Sequence, residues 1–205
     1  MPDDHVVFYT ITTWQERKNP LAAVTAYLHA FATEDPVTLC LKVSGPDELA
    51  SATRAEQAIR ATLVAMNLKH PPRIKVFGGQ WSEQQLWGLH QRGDVYLSMT
   101  RGEAYGLPML DAVAAGNPVI VAPWGGHVDF IPSTHASWLP YRLTPVVQQY
   151  SYFDGRQLWA DPDICAAAVR MRAVVERGRG PKTRADLSHI SPLRVGQLLR
   201  EALTI

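Results

Sequence analysis

The chain has 205 residues, 46% apolar and 19% charged, with 20 basic and 19 acidic side chains and a formal net charge of +1. That length and apolar content suit one sizeable α/β core and speak against wholesale disorder. The balanced charge leaves no electrostatic footprint for a nucleic-acid partner.

"VVFYTIT" (residues 6–12) is a β-rich run. "NPLAAVTAYLHAFA" follows, with Leu21, Val24, Leu28 and Phe31 at helical spacing. Asn19 before Pro20 predicts an N-cap followed by proline at the first helical position. "VTLCLKV" reads as a strand, bounded by "SGPD", and a helical pattern spans about residues 46–68. "RIKVFGG" is a short strand after an "HPP" breaker. "SEQQLWGLHQRG" is a helix opened by Ser82 with Gln85 three residues on, the pattern of a capping box. "DVYLSM" is a strand. A helix is predicted over residues 107–115, with Pro108 at its start and Gly116 and Pro118 past its end. "PVIVAP" closes the series as another strand.

Beyond Pro132 the periodicity weakens. "WLPYRLTPVVQQYSYFDGRQLWADPD" reads as a long ordered loop, and "DICAAAVRMRAVVERG" as a helix with Asp161 or Asp163 near its start. After the break "RGRGPKT", "ISPLRVGQLLREAL" is an amphipathic helix capped by Ser191. Its apolar face (Leu193, Val195, Leu198, Leu199, Leu203) either packs on its own sheet or stays exposed and mediates self-association.

Short apolar strands alternating with helices predict an α/β fold with a Rossmann-like, doubly wound parallel sheet. Residues 1–180 form its body and residues 181–205 a helical tail of the same domain. Such sheets bind ligands at the carboxyl ends of their strands, which directs attention to the loops at 12–18, 77–81, 100–106 and 123–129. Cys40 and Cys165 stand outside any C-x-x-C or zinc-like spacing and are expected as reduced, mostly buried thiols. With no basic-then-apolar leader pattern and no apolar run near the roughly 18–20 residues of a membrane span, a cytoplasmic protein without a transmembrane segment is expected.

The stretch "RGEAYGLPMLDAVAAGNPVIVAP" carries the chemistry. The first amides of its helix, around Tyr105 to Met109, lack intrahelical acceptors and form an anion site by geometry and dipole. Gly106 lets a ligand approach the backbone closely. Glu103 lies just before this amide cluster and Asp111 about one turn inside the helix. As isolated charges, Glu103 reads as a solvated loop residue and Asp111 as an acid stabilising the helix dipole. Together they could grip two parts of one elongated ligand. The chain has no G-x-x-x-x-G-K-[ST] loop, G-x-G-x-x-G fingerprint, G-x-S-x-G elbow or H-E-x-x-H pair. His127 reads as a loop residue with a backbone partner.

"RGEAYGLPMLDAVAAGNPVI" resembles the donor-site signature of retaining GT-B glycosyltransferases, E-G-F-G-L-P-x-x-E-A-x-A-x-G-x-P-V-I, with its seven-residue spacing kept between Glu103 and Asp111. "TWQERKNPLAAVTAYLHAF", "RIKVFGGQWSEQQLWGLHQRGDVYLSMT" and "PWGGHVDFI" are similar to other segments of that family, in order. The resemblance implies the C-terminal, donor-binding half of a GT-B architecture, with a nucleotide sugar as substrate and no cofactor or metal. It assigns Glu103 to the sugar, as the catalytic acid of the motif. It assigns the amides of Tyr105, Gly106 and Leu107 to the sugar and phosphate, Asp111 to the ribose hydroxyls, and Lys18 with Arg17 to the pyrophosphate. The loop Phe77, Gly78, Gly79 falls to the base. Two positions depart from the pattern: Asp111 is one methylene shorter than the usual Glu, and Thr13 stands where many relatives carry an Arg. The resemblance also implies that an N-terminal acceptor-binding domain is missing, as in a domain cut from a longer enzyme, whose final helix would reach back to that half.

Overall fold

β1 (Val6–Thr13) is the axis of the molecule. Its even and odd side chains enter two separate apolar layers: Val6 and Phe8 on one side, Val7 and Tyr9 on the other, the period of two expected of a strand covered on both faces. The computed structural model describes residues 2–45, 47–146 and 156–203. Parallel to β1 run β2 (Val37–Ser44), β3 (Arg73–Phe77), β4 (Val95–Leu97), β5 (Val119–Val121) and β6 (Ala136–Trp138), in the order β3-β2-β1-β4-β5-β6. This is the Rossmann-like, doubly wound sheet expected, and its order reverses between β1 and β4.

α1 (Pro20–Ala30), α2 (Glu48–Ala65) and α5 (Ile164–Arg177) contribute to the layer around Phe8, Leu39 and Leu41. α3 (Glu83–Arg92) and α4 (Leu107–Ala114) contribute to the layer around Tyr9, Tyr96 and Val119. Local signals hold where a side chain can make the capping bond itself. Ser82 accepts from the Gln85 amide while the Gln85 side chain accepts from the Ser82 amide, completing the capping box of α3. Asp163, not Asp161, caps α5 by accepting from the Ala166 amide. Asp47 does the same for α2; Pro46, the expected start of that helix, lies outside the described residues. Asn19 precedes α1 in the left-handed region at φ 49° and its side chain makes no capping bond, so the cap expected of it is replaced by a tight turn that asparagine tolerates.

Two further expectations are corrected, and an alternative left open is decided. The segment after Pro132 is not one long loop: β6 extends the main sheet, and β7 (Tyr141–Pro145) pairs antiparallel with β8 (Leu158–Pro162) in a two-stranded ribbon. Residues 147–155 of that segment lie outside the described ones. Pro145 and Pro162 disguise these strands; proline is admitted there because it stands at the ends of a ribbon rather than inside a sheet. Cys40 is buried as expected, but Cys165 is exposed. The terminal helix, α6 (Pro192–Leu203), buries none of its residues, and Leu193 and Leu203 are 75% and 84% exposed. Its apolar face therefore does not pack on the sheet. No helix among the described residues is long and apolar enough to cross a membrane.

Candidate functional site

Loops from the carboxyl ends of β1 and β4 meet where the strand order reverses. The Arg101 amide donates to the Arg17 carbonyl at 2.8 Å, and the Thr100 hydroxyl lies 3.3 Å from that same oxygen and 3.1 Å from the Gly102 carbonyl. Arg17 donates through its guanidinium to the Gly102 carbonyl, and the Lys18 ammonium pairs directly with the Glu103 carboxylate. Both members of this pair are largely shielded, with side-chain exposures of 21% and 13%. The two charges expected to act on opposite ends of a sugar–phosphate bond thus lie in contact.

A third loop holds Glu103 from below. Glu103 forms a parallel bridge with Gly125, and its carbonyl accepts from the Gly126 amide at 3.1 Å. A Cβ on Gly125, whose φ is +132°, would lie 2.3 Å from the Glu103 carbonyl oxygen, and one on Gly126 would lie 2.1 Å from that of Ala104. The "GG" of residues 125–126 is therefore a steric requirement of the acidic loop. Beneath it, His127 is fully buried and its Nε2 donates to the Ala122 carbonyl at 2.8 Å, the backbone partner expected. Its Nδ1 has no partner among the described residues, and burial holds its pKa below the usual value.

α4 begins at Gly106, left-handed at φ 94°. Its anion site is narrower than the sequence suggests. Pro108 has no N–H, and the Met109 amide already donates to the Gly106 carbonyl at 2.9 Å. The amides of Tyr105, Gly106 and Leu107 find no acceptor among the described residues. One turn along, Asp111 opens onto a cleft of about 730 Å³, lined also by Ile11, Glu83, Trp87, His90, Leu107 and Pro108, a size typical of small-molecule sites. Asp111 is exposed and makes no side-chain hydrogen bond among the described residues, yet the cleft walls remove enough water to raise its pKa. His90, at the cleft floor, is nearly sealed; burial pushes its pKa down to about 4, aided by Lys182.

Phe77, Gly78 and Gly79 lie further out. Phe77 is in register with Lys42, which is in register with Ile11, so this loop is about 10 Å across the sheet from the cleft lining, at the usual strand spacing. It is anchored by Lys42, a buried ammonium that donates to the Gly79 carbonyl at 2.7 Å and lies over the Trp81 ring, which packs on Phe77.

Sequence reasoning missed Arg101. Its Nε donates to Asp161 at 3.0 Å, its Nη1 pairs with Glu16 at 3.3 Å, and its guanidinium lies over the Trp159 ring. The Ala160 amide also donates to the Arg101 carbonyl at 3.0 Å. The β7–β8 ribbon is thereby fastened to the acidic loop. An arginine two residues before Glu103 was visible in the sequence; its partner sixty residues away was not. Among the described residues no three His, Cys, Asp or Glu side chains form a metal-holding group.

No protein-family model matches the chain, and no curated protein matches it. Solved structures do. The chain is similar to the C-terminal domain of LpcC, a group 1 family glycosyl transferase of Francisella tularensis, with TM-score 0.52 and 14% identity over 65% of this chain and 67% of that one. It is similar to the catalytic domain of cholesterol-α-glucosyltransferase from Helicobacter pylori, with TM-score 0.55 and 14% identity over 84% and 87% of the two chains. It is also similar to HepE of Anabaena, solved with UDP and glucose, with TM-score 0.62 and 13% identity over 98% of this chain and 48% of that one. The chain spans about half the length of the HepE structure. At these identities the likeness carries the fold, which is that of a GT-B glycosyltransferase half-domain.

Proposed function

We propose that the chain is the nucleotide-sugar donor-binding domain of a retaining glycosyltransferase, whose parent protein moves a hexose from a nucleoside diphosphate to an acceptor hydroxyl with its anomeric configuration kept. One observation carries this reading: Lys18 and Glu103, from the loops that follow neighbouring strands, meet beside the open amides of Tyr105, Gly106 and Leu107, with the Asp111 carboxylate, unpaired among the described residues, one turn further on. That sequence of charges matches a nucleotide sugar laid along the start of α4. Asp111 takes the two ribose hydroxyls on its two acceptor oxygens. The three amides and Lys18 face the diphosphate, with Arg17 fixing the loop that bears Lys18. Phe77 to Gly79 bound the base side. As the glycosidic bond breaks, negative charge grows on the leaving diphosphate and positive charge on the sugar; Lys18 and the amides stabilise the first, Glu103 the second. Because Glu103 already holds the ammonium in place, little reorganisation is needed. The structure of HepE with UDP and glucose supports a nucleoside diphosphate hexose as the ligand class.

The acceptor then comes from an N-terminal domain outside this chain, and this half alone is expected to bind donor without turnover. The free cysteines suit a cytoplasmic setting. With amides and Lys18 carrying the diphosphate charge, transfer by the complete protein is expected to persist in a chelator.

Calorimetry with UDP, GDP, ADP and their sugars tests the site. Binding of at least one is expected, and Glu103→Ala and Asp111→Ala should each weaken binding of the nucleotide sugar. Normal binding by both variants would refute the assignment. Thr13 favours a second reading, a nucleotide-binding module without turnover. By the resemblance it stands where many of that family carry an arginine, and its hydroxyl is buried without a partner among the described residues. That reading expects nucleotide binding indifferent to Glu103 and no transfer when the chain is joined to an acceptor-binding half.

A further inference from the structure

His90 has a ring proton whose position its neighbours dictate. The amide nitrogen of the fully buried Asn117 lies 2.6 Å from the His90 carbonyl oxygen and 2.8 Å from the Tyr9 hydroxyl. A carbonyl oxygen only accepts, so Asn117 must present its nitrogen there, and its two protons are both used, one on each oxygen. Turning the amide would set oxygen against oxygen. Tyr9 therefore accepts from Asn117 and directs its own proton to the Nδ1 of His90, 2.9 Å away. Nδ1 is left as the lone-pair nitrogen and the ring proton resides on Nε2. Nε2 finds no partner among the described residues, while His90 lines the cleft beside Asp111, Trp87 and Leu107.

A purely internal network would close on itself. Among the described residues this one leaves the Asn117 oxygen without a partner, a real cost for a buried polar atom, and leaves unused the Nε2–H of a histidine that lines the cleft. The low pKa of the ring keeps it neutral at physiological pH, so the group there is one fixed donor and not a switchable cation.

We propose that His90 is a specificity-determining binding residue, its Nε2–H donating one hydrogen bond to an acceptor oxygen or ring nitrogen on the nucleoside part of the ligand whose hydroxyls Asp111 holds. This rests on the reading of the cleft as a nucleotide-sugar site. The two groups are complementary: Asp111 only accepts and His90 only donates. A ribonucleoside supplies hydroxyl donors for the first and carbonyl, ring-nitrogen or ribose oxygen acceptors for the second. A ligand presenting an N–H at that spot is rejected, because two donors would face each other without water between them.

The test uses the full chain and whichever of UDP, GDP and ADP binds most tightly. His90→Leu, which fills the volume without a donor, should weaken binding about tenfold, the worth of one hydrogen bond. His90→Gln, whose amide keeps an N–H within reach, should stay within about threefold. In wild-type protein, long-range 1H–15N spectra should show the Nε2–H tautomer, with the Nε2 signal moving on ligand addition. Tyr9→Phe should release the proton to both nitrogens. An Nδ1–H tautomer in the wild type, an Nε2 signal unmoved by saturating ligand, or wild-type affinity in folded His90→Leu overturns the proposal; the spectra decide should the variants not fold. If Asp111→Ala weakens binding and His90→Leu does not, this inference alone fails. If none of the three nucleotides binds, or if Glu103→Ala and Asp111→Ala bind nucleotide sugar normally, the reading of the cleft fails and the role of His90 with it.

Discussion

At the Glu103 end of the site, backbone holds backbone; at the Asp111 end, buried side chains do. Glu103 sits on a loop stitched to the loops of residues 17 and 125–126 by main-chain contacts, and its charge is already met by Lys18. Asp111 has no such partner among the described residues; its cleft is lined by His90, which Tyr9 and Asn117 hold in place. The difference teaches where each end is vulnerable. Backbone scaffolding fails when a single Cβ intrudes. A side-chain network fails when one donor or acceptor is lost or protonated.

The sharpest way to break the first end is Gly125→Ala. It combines a Cβ placed 2.3 Å from a carbonyl oxygen with φ +132°, and together strain and clash should cost about 4 kcal/mol, read as a fall in the urea midpoint with loss of nucleotide-sugar binding. The second end should respond to acid. His90 takes a proton near pH 6.5 when unfolded and only near 4 when folded, so on acidification the unfolded state gains protons first. Stability is full above about 6.5 and should fall by about 3 kcal/mol as the pH drops to about 4; urea titrations across that window in wild type and His90→Gln should show a flatter profile in the variant. His127, also held below its ordinary value by burial, adds in the same direction. Asn117→Ala removes the donor shared by the Tyr9 hydroxyl and the His90 carbonyl, of which the second keeps Lys182 at 3.2 Å, an expected loss of about 2 kcal/mol measurable by urea unfolding, with Glu103-dependent discrimination between nucleotide and nucleotide sugar kept.

The smallest effect has the opposite sign. Burial raises the Asp111 pKa, so its ionised form is less favourable in the folded chain than in the unfolded one. Asp111→Asn should therefore raise Tm slightly at pH 7, and the gain should vanish below the ordinary carboxylate range, while nucleotide binding weakens. A gain in stability coupled to a loss of binding is the mark of a residue kept for its ligand.

Much of the fold was legible because its signals are local. A β-rich apolar run marks β1, the Ser82–Gln85 spacing marks the start of α3, and proline and glycine bracket α4. The positions of Glu103 and Asp111 were legible for the same reason: the spacing of the motif lies within one loop and helix. The β7–β8 ribbon was not, because its prolines hide the strand pattern and its anchor, Arg101 to Asp161, joins residues far apart in the chain. Nor was the shape of the anion site, since the Met109 amide is consumed by a turn that only the backbone reveals.

By itself the sequence determined the order of strands and helices as far as β5, the doubly wound class and the stretch that carries two acids, since hydrophobic period and turn chemistry act over a few residues. Only the tertiary structure decided that Lys18 and Glu103 pair, that α6 leaves its apolar face uncovered, and that Tyr9 and Asn117 close on His90. Each of these depends on which atoms the fold brings together or leaves apart, and hydrogen-bond polarity is settled by neighbours in space rather than by neighbours in the chain.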